Sequence, residues 1–277
     1  MVARNDLNRS FLPTDFGPLV DNVVDEKSLM LRISTVVSTD KQDVRFPIWQ
    51  SDPDSDFSAE GATIPLTAGA VGELIVQPVK IAARSILTNE AVADSSPSVL
   101  EMYSKGIARS IAVKADAQFF SDSAAVANVS YAGIRGLAGI ETLSGVSFAN
   151  LDDVHEAVSV IEGNGGTPTH ITVSPDVALA LKTAKTATGS NVGLFSEVKD
   201  GMNLAGLIAN VSRDLPQGTA LVTSQDTLFT VRRLGTELVK DTSVSFAEDS
   251  VQLRGVTRLS WGSAAPSHIA LLTTVTP

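Results

Sequence analysis

One long run of helical periodicity constrains this sequence more than any other feature. Apolar residues recur every four positions from 99 to 119, while most charged residues fall on the other side of the implied helix. Ser96 and Pro97 are typical of a helix start, because serine can cap free backbone N–H groups and proline needs no donor there. The run predicts a helix over residues 97–122. Gly106 weakens this helix by about 1 kcal/mol relative to alanine, so packing must hold it together.

A pair of strands is predicted before this helix. Residues 44–49 alternate so that Val44, Phe46 and Ile48 lie on one side, and Pro47 restricts that strand to an edge. A second strand-like run covers residues 74–81, and the 24 residues from 50 to 73 that join the two runs are rich in Asp, Ser, Gly and Pro. Such a connection is too long for a hairpin turn, and an isolated two-stranded ribbon is marginal in water. We therefore expect an arm that lies on another subunit.

The pattern changes at residue 150. Predicted helices at 150–163 and from 174 onward alternate with strand-like runs at 170–173, 207–211, 220–223 and 228–232, which predicts a mixed α/β region. A long loop is predicted at 190–206. A two-faced strand follows at 251–261, and residues 268–273 are predicted to return as its neighbour, so that this pair packs on the long helix.

Composition narrows the classes of function. The chain has 277 residues, no cysteine, three histidines and a net charge of −10. These counts exclude disulfides and thiolate metal sites, and they disfavour a dedicated DNA- or RNA-binding protein, which needs a clustered basic surface. No apolar run approaches the ~18 residues of a membrane helix, and the N-terminus lacks the apolar core of a signal peptide. We expect a soluble protein made in the cytoplasm.

No motif predicts catalysis or a cofactor. Residues 52–63 begin with alternate carboxylates, as a calcium loop does, but Phe57 takes the position that needs glycine and Thr63 that of the bidentate glutamate. An ordinary solvated loop is therefore the favoured interpretation, with calcium as the alternative. The three histidines lie in no pattern of nucleophilic catalysis. We predict no catalytic, cofactor-binding or metal site.

Several short sequence motifs occur along the chain, and their order carries more information about the fold than any one of them alone. They are residues 59–61 in the loop, 76–80 on the return strand, 174–176 before a helix, 204–206 with 215–216, and 246–249 leading to Arg254 and Arg258. In this order the chain resembles the major capsid proteins of tailed bacteriophages, which have the Hong Kong 97-type fold. The resemblance implies an α+β chain with an N-terminal arm, an extended β-hairpin loop, a long spine helix, a peripheral domain and an axial domain.

The resemblance also implies boundaries for these parts. The arm would cover residues 1–34, the extended loop 35–85, the peripheral domain 86–149 with the spine helix at 97–122, the axial domain 150–245, and the return strands of the peripheral domain 246–277. The extended loop would overlap an adjacent subunit. We expect Arg45, Trp49 and Glu60 in intersubunit contacts of this loop, and Arg254 or Arg258 as the charge partner of a neighbour's loop carboxylate.

The implied function is structural. Copies of the chain would assemble, in the host bacterial cytoplasm, into pentamers and hexamers of an icosahedral virion shell that encloses double-stranded DNA without sequence-specific binding. The implied partners are further copies of the chain and portal, scaffolding and cement or decoration proteins, with no role for a membrane. Residues 52–72 contain no lysine, so the isopeptide bond that joins subunits in some family members is not expected. A charged helical scaffolding region at the N-terminus is also missing from the sequence.

Two alternatives stay open. An encapsulin-like nanocompartment shell has the same fold and encloses cargo enzymes instead of a genome. A cytosolic α/β hydrolase is the remote alternative, and it would require a concave pocket with convergent polar groups.

Overall fold

The computed structural model describes residues 24–61, 63–64, 66–94, 98–184, 203–233 and 237–274. The chain forms two compact units, each built from several parts of the sequence. Within the described chain, unit 1 contains residues 24–27, 81–113 and 237–257, and unit 2 contains residues 28–80, 114–233 and 258–274. No helix in these residues is both long and apolar enough to span a membrane.

The described elements make this a mixed α+β protein, as predicted. The helices are α1 (Leu29–Arg32), α2 (Asn89–Asp94), α3 (Ser98–Phe119), α4 (Asp152–Gly163) and α5 (Pro175–Thr183). The first strands are β1 (Thr35–Thr39), β2 (Val44–Ser51), β3 (Ala70–Val76), β4 (Val79–Thr88), β5 (Glu141–Ser144), β6 (His170–Val173) and β7 (Asn203–Leu204). The remaining strands are β8 (Leu207–Val211), β9 (Thr219–Thr223), β10 (Leu228–Arg233), β11 (Glu237–Ser245), β12 (Ser250–Ser263) and β13 (Ile269–Thr273).

The predicted long helix is present as α3. Residues 96–97 of the prediction lie outside the described chain, and the helix ends at Phe119 where the prediction placed its end at 122. Two side chains from the following loop bond carbonyls of its last turns: Tyr131 Oη donates to the Ala115 carbonyl over 2.7 Å, and Ser121 Oγ donates to the Gln118 carbonyl over 2.8 Å.

Unit 1 has its core on the apolar face of α3. Ile107 and Ile111 of the helix are buried with Leu87 of β4 and Leu253 of β12. The first half of β12 pairs antiparallel with β11, with Val256 opposite Glu237. β12 lies so close to the helix that a Cβ added at Gly255 would overlap the Cγ2 methyl of Ile107. Glycine is therefore the residue that lets this strand and helix pack.

Unit 2 is built on a six-stranded sheet of order β5-β13-β9-β6-β8-β7. Helices α4 and α5 cover one face, where buried side chains such as Ile161 and Leu181 pack on Val173 and Val222. The predicted strands at 170–173 and 207–211 are present as β6 and β8, which pair in parallel. Most of the predicted loop at 190–206 lies outside the described residues, although its end contains β7.

The prediction that residues 268–273 return beside the long strand was wrong. β13 pairs with β5 on one side and β9 on the other, so it belongs to the six-stranded sheet. The physical reason is that β12 already has other partners, β11 along its first half and β10 along its second half. In addition, Ala270 and Leu272 complete the apolar core beneath α4 and α5. No feature of the structure tests the predicted domain boundaries, which stay predictions.

β2 and β3 form the predicted ribbon, a two-stranded antiparallel sheet of their own. The run predicted at 74–81 is two strands, because Gln77 and Pro78 separate β3 from β4. One face of the ribbon packs on the rest of unit 2, where Phe46 stacks on Phe229 with ring centroids 4.6 Å apart. A Cβ at Gly262 would lie only 2.9 Å from a methyl of Val76. The ribbon is thus supported by its own chain on this inner face.

Candidate assembly surface

The other face of the ribbon is exposed. Because side chains alternate along a strand, the outward positions of β2 stand opposite those of β3: Arg45 pairs with Ile75 and Trp49 pairs with Val71. Trp49, Val71 and Ile75 are 60%, 61% and 54% exposed. A large aromatic and two β-branched residues side by side in water form a surface that gains free energy when another molecule covers it.

Arg45 supplies the charge on this face. Its Nε lies 3.3 Å from Asp43 Oδ2, and its Nη1 lies 3.4 Å from Glu73 Oε2 on β3. The side chains are more than a third exposed, so these ion pairs contribute at most ~1 kcal/mol to stability. The ion pair with Glu73 joins β2 to β3.

The loop between β2 and β3 extends the apolar surface. Phe57 and Leu66 are completely exposed, and Ile64 is 76% exposed. The base of the loop is ordered by Thr67 Oγ1, which donates to the Asp54 carbonyl over 3.0 Å, and Gly69 lies against the Trp49 ring, where an added Cβ would approach Cζ2 to 2.9 Å. Residues 52–69 carry four carboxylates and no lysine or arginine. The loop is therefore both acidic and apolar.

The structure places three of the five predicted contact residues on the β2–β3 hairpin. Arg45 and Trp49 share the outer face of the ribbon, and Glu60 lies in an exposed turn of the loop next to Gly61, whose φ is +80°. Arg254 and Arg258 lie at exposed positions of β12, outside the hairpin. Arg254 borders a hollow of about 150 Å³ in unit 1. Nothing in a single chain tests intersubunit contacts, so all five assignments stay predictions.

Sequence reasoning missed a larger groove in unit 1, between α3 and β4. It has a volume of about 450 Å³, and the residues that shape it include Arg84, Met102, Tyr103, Gly106, Arg109 and Ser110. Met102 is 59% exposed and Tyr103 is 37% exposed. Gly106 is the sequence signal that could have revealed the groove, because a glycine in the middle of a long helix destabilises it and usually has a role in packing or function.

A buried carboxylate in unit 2 was also missed. Asp116, near the end of α3, is 5% exposed. Its Oδ1 accepts hydrogen bonds from Ser28 Oγ at 2.7 Å and the Met30 N–H at 3.1 Å, and its Oδ2 accepts one from the Leu29 N–H at 2.9 Å. Burial raises the pKa of Asp116 above its ordinary value, and the three hydrogen bonds oppose that rise. Asp116 thus fixes the start of α1.

Tyr131 is a further anchor in unit 2. Burial, and then the nearby Asp116, raise the pKa of the Tyr131 phenol, so this hydroxyl stays a neutral donor to the end of α3. In the part of the chain that the structure describes, no three His, Asp or Glu side chains are grouped to hold a metal ion.

Comparison with solved structures defines the fold. A structure from Mycobacterium phage Cain is 14% identical, with a TM-score of 0.74 and coverage of 99% of this chain and 98% of that chain. One from Mycobacterium phage Adephagia is 15% identical, with a TM-score of 0.73 and coverage of 100% and 99%. The capsid of an empty GTA particle is 14% identical, with a TM-score of 0.75 and coverage of 100% and 95%. This chain thus has the same fold as these three proteins.

The sequence profile of the phage capsid family matches residues 10–274. The chain belongs to this family and is a major capsid protein, a structural protein whose copies form the shell of a virion. No curated protein matches the sequence.

Proposed function

We propose that this chain builds the icosahedral head of a tailed bacteriophage, as pentamers and hexamers that enclose the double-stranded DNA genome. The observation that carries this proposal is the exposed apolar surface of the β2–β3 hairpin, from Trp49 and Val71 on the ribbon to Phe57 and Leu66 on the loop. A single chain leaves this surface in water, whereas neighbouring copies in a shell would cover it.

The finer architecture belongs to the same proposal. We assign the Hong Kong 97-type parts as an N-terminal arm, the β2–β3 hairpin as the extended loop, α3 as the spine helix, and peripheral and axial domains. The six-stranded sheet with α4 and α5 supports an axial domain, which we place at 150–245 as the sequence predicts, although the sheet also contains β5 and β13 from outside that range.

The charge of the chain supports enclosure of DNA without tight binding. With a net charge of −10, the shell would repel phosphates on average, and packaged DNA would be confined rather than held. We propose a structural role without catalysis, assembly in the host cytoplasm, and contacts with portal, scaffolding and cement or decoration proteins. In the absence of a loop lysine, non-covalent contacts would stabilise the shell.

Purification of the full chain followed by negative-stain electron microscopy tests this function. We expect uniform polyhedral shells, and small particles that never exceed the size of monomers would contradict the proposal. Particles that enclose a cargo enzyme instead of DNA would favour the encapsulin-like alternative.

A charge reversal, Glu60→Lys, tests the loop separately. Glu60 is exposed, so its replacement should leave the free energy of unfolding unchanged and impair shell formation. Normal shells from this variant would remove Glu60 from the contact.

A further inference from the structure

Ser28 interrupts a run of helical residues. Residues 24–27 and α1 are helical, and Ser28 between them is extended, with a φ of −78° and a ψ of 122°. A ψ of about −40° would continue the helix. Residues 24–32 contain neither glycine nor proline, and most of them are good helix formers. The local sequence therefore does not account for the break at Ser28.

The side chain of Asp116, on α3, takes the backbone donors that a continuous helix would need. In such a helix the N–H groups of Leu29 and Met30 would donate to the carbonyls of residues 25 and 26. Instead, the Leu29 N–H donates to Asp116 Oδ2 over 2.9 Å, and the Met30 N–H donates to Asp116 Oδ1 over 3.1 Å. The helix cannot continue across Ser28 while both donors are held in this way.

The hydroxyl of Ser28 is a third donor to the same carboxylate. A serine at the start of a helix ordinarily caps that helix through its own side-chain oxygen. Ser28 makes no such bond, and its Oγ donates to Asp116 Oδ1 over 2.7 Å. Ser28 is completely buried and Asp116 is 5% exposed, so water does not readily replace either group. One carboxylate therefore satisfies three donors of residues 28–30, and its removal would leave them without an acceptor.

We propose that Asp116 selects the conformation of the N-terminal segment. With its carboxylate in place the helix breaks at Ser28, and without it residues 24–32 form one continuous helix. The extension is favoured because it gives the freed N–H groups of Leu29 and Met30 new acceptors in their own segment. Ser28 lies in the predicted arm at 1–34, so the same carboxylate would set the course of that arm in a shell, and this consequence rests on the proposed shell function.

The first test removes the carboxylate and reads the backbone of Ser28 by nuclear magnetic resonance on dissociated subunits. The ¹³Cα and ¹³Cβ chemical shifts of Ser28, assigned as the serine signals lost in Ser28→Ala, distinguish extended from helical backbone. They should move from extended to helical values in Asp116→Ala. In the control Asp214→Asn they should not move, because the N–H groups at the start of α1 bond Asp116. A Ser28 that stays extended in folded Asp116→Ala overturns the proposal.

Asp116→Asn takes the place of Asp116→Ala if the alanine variant does not fold. It keeps the volume of the side chain but leaves one acceptor oxygen for three donors. The shifts of Ser28 should again move toward helical values, and unmoved shifts overturn the proposal.

The second test restores the break by a different route. Proline has no N–H, disfavours helical backbone at the residue before it, and is tolerated at the first position of a helix, where Leu29 lies. Leu29→Pro added to Asp116→Ala should therefore return Ser28 to extended values, whereas Leu29→Ala in the same background should not. A carboxylate that only stabilises the fold would give no helical state for proline to reverse. Failure of this rescue overturns the proposal.

Negative-stain electron microscopy of the same variants separates this inference from the proposed function. Asp116→Ala should lose the shells that the wild type forms, and the double variant with Leu29→Pro should regain them. If the shifts of Ser28 move as expected but Asp116→Ala forms normal shells, the consequence for the arm is overturned and the selection by Asp116 stands. If the wild type forms no shells, the proposed function fails, and the shifts of Ser28 alone decide whether Asp116 selects the break.

Discussion

Gly255→Ala measures how tightly β12 packs on α3 inside unit 1. The new Cβ would overlap Cγ2 of Ile107 and lie 3.4 Å from Cδ1 of Ile111. These isoleucines are 6% and 1% exposed, so neither can move toward solvent. Overpacking of this kind costs about 1–3 kcal/mol. Alanine recovers about 0.5–1 kcal/mol of the entropy that glycine loses in a strand, which leaves a net loss of roughly 0.5–2 kcal/mol.

Urea unfolding of dissociated subunits, followed by far-ultraviolet circular dichroism, gives this free energy. Ile107→Ala removes the opposing methyl and alone should cost about 2–5 kcal/mol. The double variant with Gly255→Ala should cost less than the sum of the two single changes by about 1 kcal/mol or more. Gly106→Ala is the matched control in the same unit, and its stability should rise by about 1 kcal/mol. Additive losses in the double variant would refute the overlap.

Three further changes test contacts in unit 2. Burial raises the pKa of Asp116 above its ordinary 3.8, so the folded state binds this proton more tightly and the free energy of unfolding falls as pH rises above that value. Asp116→Asn should flatten this part of the pH profile, and an unchanged slope would contradict it. Tyr131→Phe removes the hydrogen bond to the Ala115 carbonyl and should cost about 1 kcal/mol in the same urea assay; no loss would mean that water replaces the hydroxyl. Phe46→Ala removes the inner-face stacking of the ribbon and should speed limited proteolysis of the hairpin, whereas outward Trp49→Ala should not.

The local elements of this fold were predictable because periodicity is a local property. The apolar positions of α3 and the alternation of Val44, Phe46 and Ile48 report which face of each element is buried. These patterns do not report which other element each strand or helix contacts. β13 is an apolar strand in the sequence whether it pairs with β12 or with β9, and the packing of Ala270 and Leu272 beneath α4 and α5 decides between them.

The candidate site was predictable only in part for the same reason. The exposed hairpin followed from the composition and length of its loop. The role of Asp116 could not be predicted from the sequence, because its hydrogen-bond partner Ser28 lies 88 positions away. The groove depends on how α3 lies against β4, and in the sequence its only trace is a glycine that looked like a cost to the helix.

The acidity of the loop has a consequence for newly made chains. Phe57 and Leu66 on every copy could otherwise join loop to loop, which would give disordered aggregates at high concentration. Four carboxylates on each loop make two loops repel each other, and this repulsion is strongest at the close approach that apolar contact requires. The same charges therefore keep like surfaces apart and leave the loop able to associate only with a surface of the opposite sign. Colloidal stability before assembly and selectivity during assembly then have one physical origin.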